Sequence, residues 1–339
     1  MIRSAAVIAL ILAAAPASAA PPLAGVATQP SAAQPFAAPR AGFLPSTTDA
    51  GAASAPAGPG VTDADKPYGA FQRGFFATAL AQATERLGQN PKDGAAMELI
   101  GEIYAQGLAV REDPAEAARW YKLASDNGDR QGSFSYGLAL LRGAGVPKSP
   151  AAARPYLEKA AAAGHAGALY NLGVLTLQAD VDTRDYVKAA DYFQRAADLG
   201  DVDAAYALGN LYKAGEGVPR EPARAAALFK TAAEERNVAA ELDYAIALFN
   251  GEGVPRDEAA AARWFRRAAA SGNPVAANRL ARLYAAGRGV RKDSVAAARW
   301  HLMARAAGVP DPWLDGVLAG LTPADKAKVE DGMRRTMAN

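Results

Sequence analysis

The chain has 339 residues, 37 Lys and Arg against 35 Asp and Glu, a formal net charge of +2 and no cysteine. That balance argues against a nucleic-acid binder, which carries a basic face, and the missing cysteines exclude disulfides and thiolate metal sites. A length of 339 residues suggests two ordinary domains, unless the chain is a linear array that grows without enlarging one core.

Met1 to Ala19 reads as a secretory signal peptide (1–19). Arg3 supplies the positive start, Ala5 to Ala15 is apolar but too short to cross a bilayer of about 30 Å as a helix, and Ala17-Ser18-Ala19 fits the small-x-small cleavage rule. No cysteine follows the cleavage point, which excludes a lipoprotein. Ala20 to Asp65 is an Ala/Pro/Gly-rich linker whose only charges are Arg40, Asp49, Asp63 and Asp65. It lacks the large apolar side chains that would offset an ordering cost of roughly 1–2 kcal/mol per residue, so disorder is expected over 20–65. Lys66 to Asp93 has Tyr68, Phe71, Phe75 and Phe76 around Gly74 and then a helical pattern to Leu87.

From Gly94 to Gly308 the sequence repeats every 36 residues, six times in one register: Gly101, Gly137, Gly173, Gly209, Ala245, Ala281. Such a period signals a solenoid. The position before this column is always large and apolar (Ile100, Tyr136, Leu172, Leu208, Tyr244, Leu280), and the position four residues before that is always small, from Ala96 to Ala276. In the second helix of each unit, Ala117, Ala153, Ala189, Ala225, Ala261 and Ala297 form one alanine column. A second alanine column, Ala124 to Ala304, lies seven positions on and so on the same face. Between them stand Tyr121, Leu157, Phe193, Phe229, Phe265 and His301. Gly107, Gly143, Gly215, Gly251 and Gly287 close the first helix. Val110, Val146, Val218, Val254 and Val290 follow as apolar plugs, and Asp113, Asp185, Glu221, Asp257 and Asp293 open the second helix. Asp113-Pro114-Ala115-Glu116 combines an N-cap, a first-turn proline and a capping-box glutamate.

These units resemble the Sel1-like repeat family, relatives of the tetratricopeptide repeat. They follow its pattern A-x-x-x-L-G-x-x-Y-x-x-G-x-G-V-x-x-D, then A-x-x-W-Y-x-x-A-A-x-x-G, with Trp120-Tyr121 and Trp264-Phe265 as the aromatic pair. The resemblance implies an all-α, right-handed superhelix of helix-turn-helix units and a role in binding other proteins. It also marks 66–93 as the degenerate helix pair that opens such solenoids, covering the first repeat with a polar outer face. Two units depart from the pattern. Gln178-Ala179-Asp180-Val181 replaces the joint glycines of the third. Arg236, after Glu234-Glu235, replaces the closing glycine of the fourth, where the helix is expected to run slightly longer. After Pro310-Asp311-Pro312, a short helix Trp313–Ala319 and a charged helix opened by Thr322-Pro323-Ala324-Asp325 are expected as the C-terminal cap, 309–339.

No catalytic constellation emerges, so no enzyme is expected. His165 has no acidic or nucleophilic neighbour in motif spacing, and His301 is expected to pack against the C-terminal cap. Pairs such as Gly215-Glu216-Gly217 follow a helix rather than a strand, against a dinucleotide fingerprint. No metal and no cofactor is called for. In tetratricopeptide solenoids the first helix of each pair lines the concave side. By that analogy three columns should face inward: Glu98, Phe134, Tyr170, Tyr206, Leu242, Asn278; Glu102, Leu138, Val174, Asn210, Ile246, Arg282; and Ala105, Leu141, Leu177, Lys213, Phe249, Ala285. The expected partner-binding set is Phe134, Leu138, Leu141, Tyr170, Val174, Leu177, Tyr206, Ile246 and Phe249, with Phe134, Tyr170 and Tyr206 equally readable as core. The sequence therefore reads as an exported, periplasmic (alternatively secreted) interaction scaffold for an envelope protein, without nucleic acid and without a membrane span after signal cleavage. The resemblance adds a possible regulatory role in an envelope signalling or assembly system. A cell-wall or polysaccharide-associated factor using Tyr170, Asn171 and Tyr206 is the alternative.

Overall fold

A computed structural model describes residues 66–178 and 185–338; the expected signal peptide, the linker and the divergent third joint (179–184) lie outside the described residues. Among the described residues the structure is all-α, with sixteen helices. Helices α1 (Lys66–Gln72) and α2 (Phe76–Gln89) precede six pairs. The pairs are α3 (Gly94–Gln106) with α4 (Pro114–Asp126), α5 (Arg130–Arg142) with α6 (Pro150–Ala162), and α7 (Ala166–Leu177) with α8 (Tyr186–Asp198). They continue with α9 (Val202–Ala214) and α10 (Pro222–Glu234), α11 (Val238–Asn250) and α12 (Glu258–Ala270), and α13 (Pro274–Ala286) and α14 (Ser294–Ala306). Helices α15 (Pro312–Ala319) and α16 (Pro323–Ala338) complete the described chain. Contacts divide it into two units, 66–204 and 205–338. Within each unit hairpin partners pack together, as in α3 with α4 and α11 with α12, and second helices pack on the first helix of the following pair, as in α4 on α5 and α12 on α13.

The solenoid is built on small side chains. Every member of both second-helix alanine columns is at most 3% exposed, so the helices approach on bare methyl groups. The aromatic column between them is also buried, and its rings lie on the glycine column: a Cβ added at Gly101 would stand 2.7 Å from the Tyr121 ring, and one at Gly209 2.7 Å from Phe229. The valine plugs are half-buried at all five joints.

The joints interlock consecutive repeats. A Cβ on Gly145, Gly253 or Gly289 would overlap the backbone carbonyl of Pro114, Pro222 or Glu258, the start of the second helix one repeat earlier. These positions also have positive φ, +70°, +75° and +66°. The first repeat has no such predecessor, and there the same position is held by Ala109 with φ 62°. Arg236 likewise takes φ 66°. The fourth repeat's second helix therefore does not run on as expected. It stops at Glu234, and Arg236 adopts the left-handed geometry that glycine supplies elsewhere.

Two capping expectations are corrected. Glu221 opens α10 without a side-chain cap hydrogen bond and pairs with Arg224 at 3.0 Å instead, because its extra methylene carries the carboxylate past the capping position. Asp113 caps α4 through Ala115 N and Glu116 N, but Glu116 does not close the box. The Asp113 N–H donates to Tyr104 O at 3.0 Å, and the Glu116 carboxylate pairs with Arg119. At the N-terminal end Ala70, Ala79 and Ala83 pack with Leu99, Ile100 and Ile103. The exposed side chains there include the polar Gln72, Arg73, Thr78, Thr84 and Glu85, together with Phe75 at 59% and Tyr68 at 44% exposure. At the other end Leu314 seats among Ala281, Ala285 and Ala297, and Leu318, Val329 and Met333 pack on Ala298 and Leu302.

Candidate protein-interaction face

Each first helix starts with a side-chain cap: Asp93, Asp129, His165, Asp201, Asn237 and Asn273 accept from the backbone N–H three residues on. This column escaped the sequence reading because His165 interrupts its Asp/Asn chemistry. The ring substitutes for a carboxylate: Nδ1 accepts from Ala168 N at 3.2 Å, and Nε2 lies 3.0 Å from Gln131 Oε1.

These caps stand beside the first inward column of the preceding repeat. The Phe134 ring stacks on His165 at 4.0 Å. Burial, then the carboxylates of Asp203 and Asp201, push the Tyr170 phenol up. Tyr206 differs: its hydroxyl donates to Asp243 Oδ2 at 2.9 Å on the following first helix. Both tyrosine rings also meet the second-helix aromatics, Tyr170 with Phe193 at 5.8 Å and Tyr206 with Phe229 at 5.7 Å. Phe134, Tyr170 and Tyr206 are thus half-buried, with one edge packed in the helix layer and the other at the surface.

The remaining expected contacts separate. Leu138, Leu141, Val174 and Ile246 are half-buried. Leu177 is 7% exposed and belongs to the core; as the last residue of α7 it turns into the layer rather than outward. Phe249 is half-buried because guanidinium groups flank its ring, Arg288 at 4.4 Å and Arg256 at 5.9 Å. Both arginines bond Glu258, and the Arg288 hydrogen bond, ahead of that from Arg256, pulls the carboxyl down to about 2. Lys213, between Asp243 at 2.7 Å and the Phe229 ring, edges a small cleft lined also by Ile246 and Glu252.

The two polar ends of the columns are built differently. On α3, Glu98 is half-buried. Burial, reinforced by Glu102 and Asp129 and opposed by a Ser135 hydrogen bond, pushes its carboxyl up to about 8. Glu102 accepts from Tyr121 OH at 2.8 Å and from Gln106 Nε2. On α13, Arg282, which the sequence placed in an inward-facing column, is not free for a ligand. It forms a fork to Asp311 at 2.6 and 3.0 Å and lies over Trp313. Asn278, 9% exposed, donates to the same carboxylate at 2.9 Å. Asp311 also caps α15 through Trp313 N and Leu314 N. Despite burial, the Arg282 and Asn278 hydrogen bonds hold its carboxyl below the ordinary value. Helix α15 therefore occupies the place where another repeat's first helix would lie against α13.

His301 is fully buried and meets Asp315 Oδ1 of α15 at 2.8 Å, beside Arg305 at 2.9 Å; it joins the C-terminal cap, as its column suggested. Among the described residues no group of three His, Cys, Asp or Glu is arranged to hold a metal ion, and no helix is long and apolar enough to cross a membrane.

The family model described as Sel1 repeat matches residues 94–129, 132–165, 166–201, 202–237, 238–273 and 274–309. The chain belongs to the Sel1 repeat family. Among solved structures, a Sel1 repeat protein from Oxalobacter formigenes is 29% identical and superposes with a TM-score of 0.62, over 72% of this chain and 97% of that one. The protective antigen c5321 of uropathogenic Escherichia coli, which displays an SLR fold, is 24% identical with a TM-score of 0.51, over 75% of this chain and 62% of its own length. It bears on the fold alone. No curated protein matches the chain. Sel1 repeat proteins are generally protein-interaction scaffolds, and their solenoid is typically non-catalytic.

Proposed function

We propose that the protein is an exported scaffold of the cell envelope that holds a segment of another envelope protein on its first-helix face, and that it serves a signalling or assembly system there. The carrying observation is the row of half-buried Phe134, Leu138, Leu141, Tyr170 and Val174 on α5 and α7. These side chains expose apolar edges on a rigid layer, the arrangement that binding surfaces use. Export rests on the signal-like start of the sequence. The polysaccharide reading is weaker, because Asn171 is buried and its amide donates to Gly167 O at 2.7 Å. The test is affinity capture from periplasmic extract with the chain from Ala20, beside the same chain carrying Leu138→Ser and Leu141→Ser. A protein retained by the first and lost by the second, at an unchanged melting temperature, supports the reading. Equal retention by both moves the site elsewhere, and retention on purified peptidoglycan alone favours the glycan reading.

A further inference from the structure

Two features of unit 66–204 remain unexplained by its packing. The acidic end of the face is electrostatically unfavourable, since Glu98 is half-buried and both Glu102 and Asp129 act to raise its pKa. Beside it, α5 presents the half-buried apolar groups Phe134, Leu138 and Leu141. A ligand suited to both would carry one cation flanked by large apolar side chains.

The chain contains such a segment. Arg40 is the sole cation of residues 20–65, and Phe36 and Phe43 are the sole aromatic residues there, with Leu44 next to the second. We propose that Phe36–Leu44 docks in cis on this face, with Arg40 seated at Glu98 and Glu102 and its apolar neighbours on Phe134, Leu138 and Leu141. The inference rests on reading this face as a binding surface.

Reach and spacing fit. Residues 45–65 tether the segment to α1; a flexible chain of that length spans about 25 Å, and α3 and α5 lie in the unit that α1 opens. Tethering also raises the local concentration to the millimolar range, so a weak site is filled. In an extended chain Phe36 and Phe43 stand about 13 and 10 Å from Arg40. Packed helices sit about 8–10 Å apart, so a cation over α3 places an apolar neighbour over the adjoining helix. The guanidinium would stabilise the Glu98 carboxylate against Glu102 and Asp129, with Ser135 hydrogen-bonded to Glu98 and the Tyr121 hydroxyl, which donates to Glu102, as the other polar groups near it.

Hydrogen–deuterium exchange on the chain from Ala20 tests this, with Arg40→Glu, Glu98→Gln and Leu138→Ser variants of unchanged melting temperature. The expected result is exchange over 36–44 slowed at least tenfold relative to 46–62, and released by each variant. Trypsin cleavage after Arg40 should accelerate in the Glu98→Gln and Leu138→Ser chains in parallel. Exchange over 36–44 as fast as over 46–62 in the unaltered chain overturns the proposal. So does protection that Glu98→Gln and Leu138→Ser leave intact, because the segment then sits elsewhere. If 36–44 is unprotected while capture of a periplasmic protein still depends on Leu138 and Leu141, this inference fails and the proposed function stands.

Discussion

The same three columns end differently at the two ends of the repeat array. At the last repeat they hold Asn278, Arg282 and Ala285, and α15 satisfies them: Asp311 takes both polar groups, and Ala285 packs with Leu314. At the first repeat they hold Glu98, Glu102 and Ala105, where carboxylate faces carboxylate and burial raises the proton affinity of Glu98. One end is a completed cap and the other retains an electrostatic cost. A fold tolerates such a cost where a ligand can relieve it.

The largest expected effect breaks the completed end. Asp311→Ala leaves Arg282 and Asn278 without their acceptor and uncaps α15. Removing one partner of a buried pair costs about 3–5 kcal/mol, so the urea midpoint should fall sharply and protection of α15 and α16 amides should be lost first. Asp311→Asn keeps an acceptor and should recover part of the loss. If Asp311→Ala unfolds like the unaltered chain, the fork is not what secures α15.

Next comes the interlock between repeats. Gly253→Ala drives a methyl group into the Pro222 carbonyl at a positive φ, which should cost about 2–3 kcal/mol from overpacking and strain together. Ala109→Gly, the matching position of the first repeat, should change stability by less than about 1 kcal/mol in either direction. Equal costs at both positions, read from paired melts, would remove the distinction between an inner joint and the first one.

Glu98→Gln addresses the unfavourable end. Below the ordinary carboxylate value of 4.5 both folded and unfolded chains hold the proton, and the residue has no pH-dependent effect. Between 4.5 and about 8 the folded chain retains a proton that the unfolded chain releases, so stability falls as pH rises. Above that window the penalty is constant. On the Arg40→Glu background, Glu98→Gln should therefore stabilise by about 1–2 kcal/mol at pH 8 and by almost nothing at pH 4.5. A stabilisation independent of pH would mean that Glu98 is not held protonated by its surroundings.

Much of this architecture could be read from the sequence because a solenoid writes its packing as columns. The alanine columns, the aromatic column and the valine plugs all lie where the period places them, since each repeat meets only its neighbours. The site was less legible. Leu177 shares a column with Leu141, yet only the latter reaches the surface, because sharing a column does not fix exposure in the last turn of a helix. Arg282 looked like an available charge until the fold brought Asp311, 29 residues away, to its guanidinium. The role of His165 was hidden for a third reason: a neutral imidazole nitrogen can do the work of a cap oxygen, a substitution that residue-type patterns do not anticipate.

The smallest prediction, like that for Glu98, is a gain in stability. Arg236 adopts φ 66° at the position where other repeats have glycine, and the left-handed region costs a residue with a Cβ about 1–2 kcal/mol. Arg236→Gly removes that strain but gives up two contributions: a more restricted unfolded chain and the attraction of the Arg236 charge for Glu241, which is secondary to that of Arg267. Glu241 keeps its ion pair with Arg267 at 2.5 Å, so most of its neutralisation survives. The net expectation is a gain of about 0.5–1 kcal/mol, seen as a small rise in melting temperature and slower exchange in the last turn of α10. Arg236→Ala keeps the Cβ while removing the charge, and should lose stability. If the glycine and alanine variants shift the melt equally, charge rather than backbone geometry governs this joint.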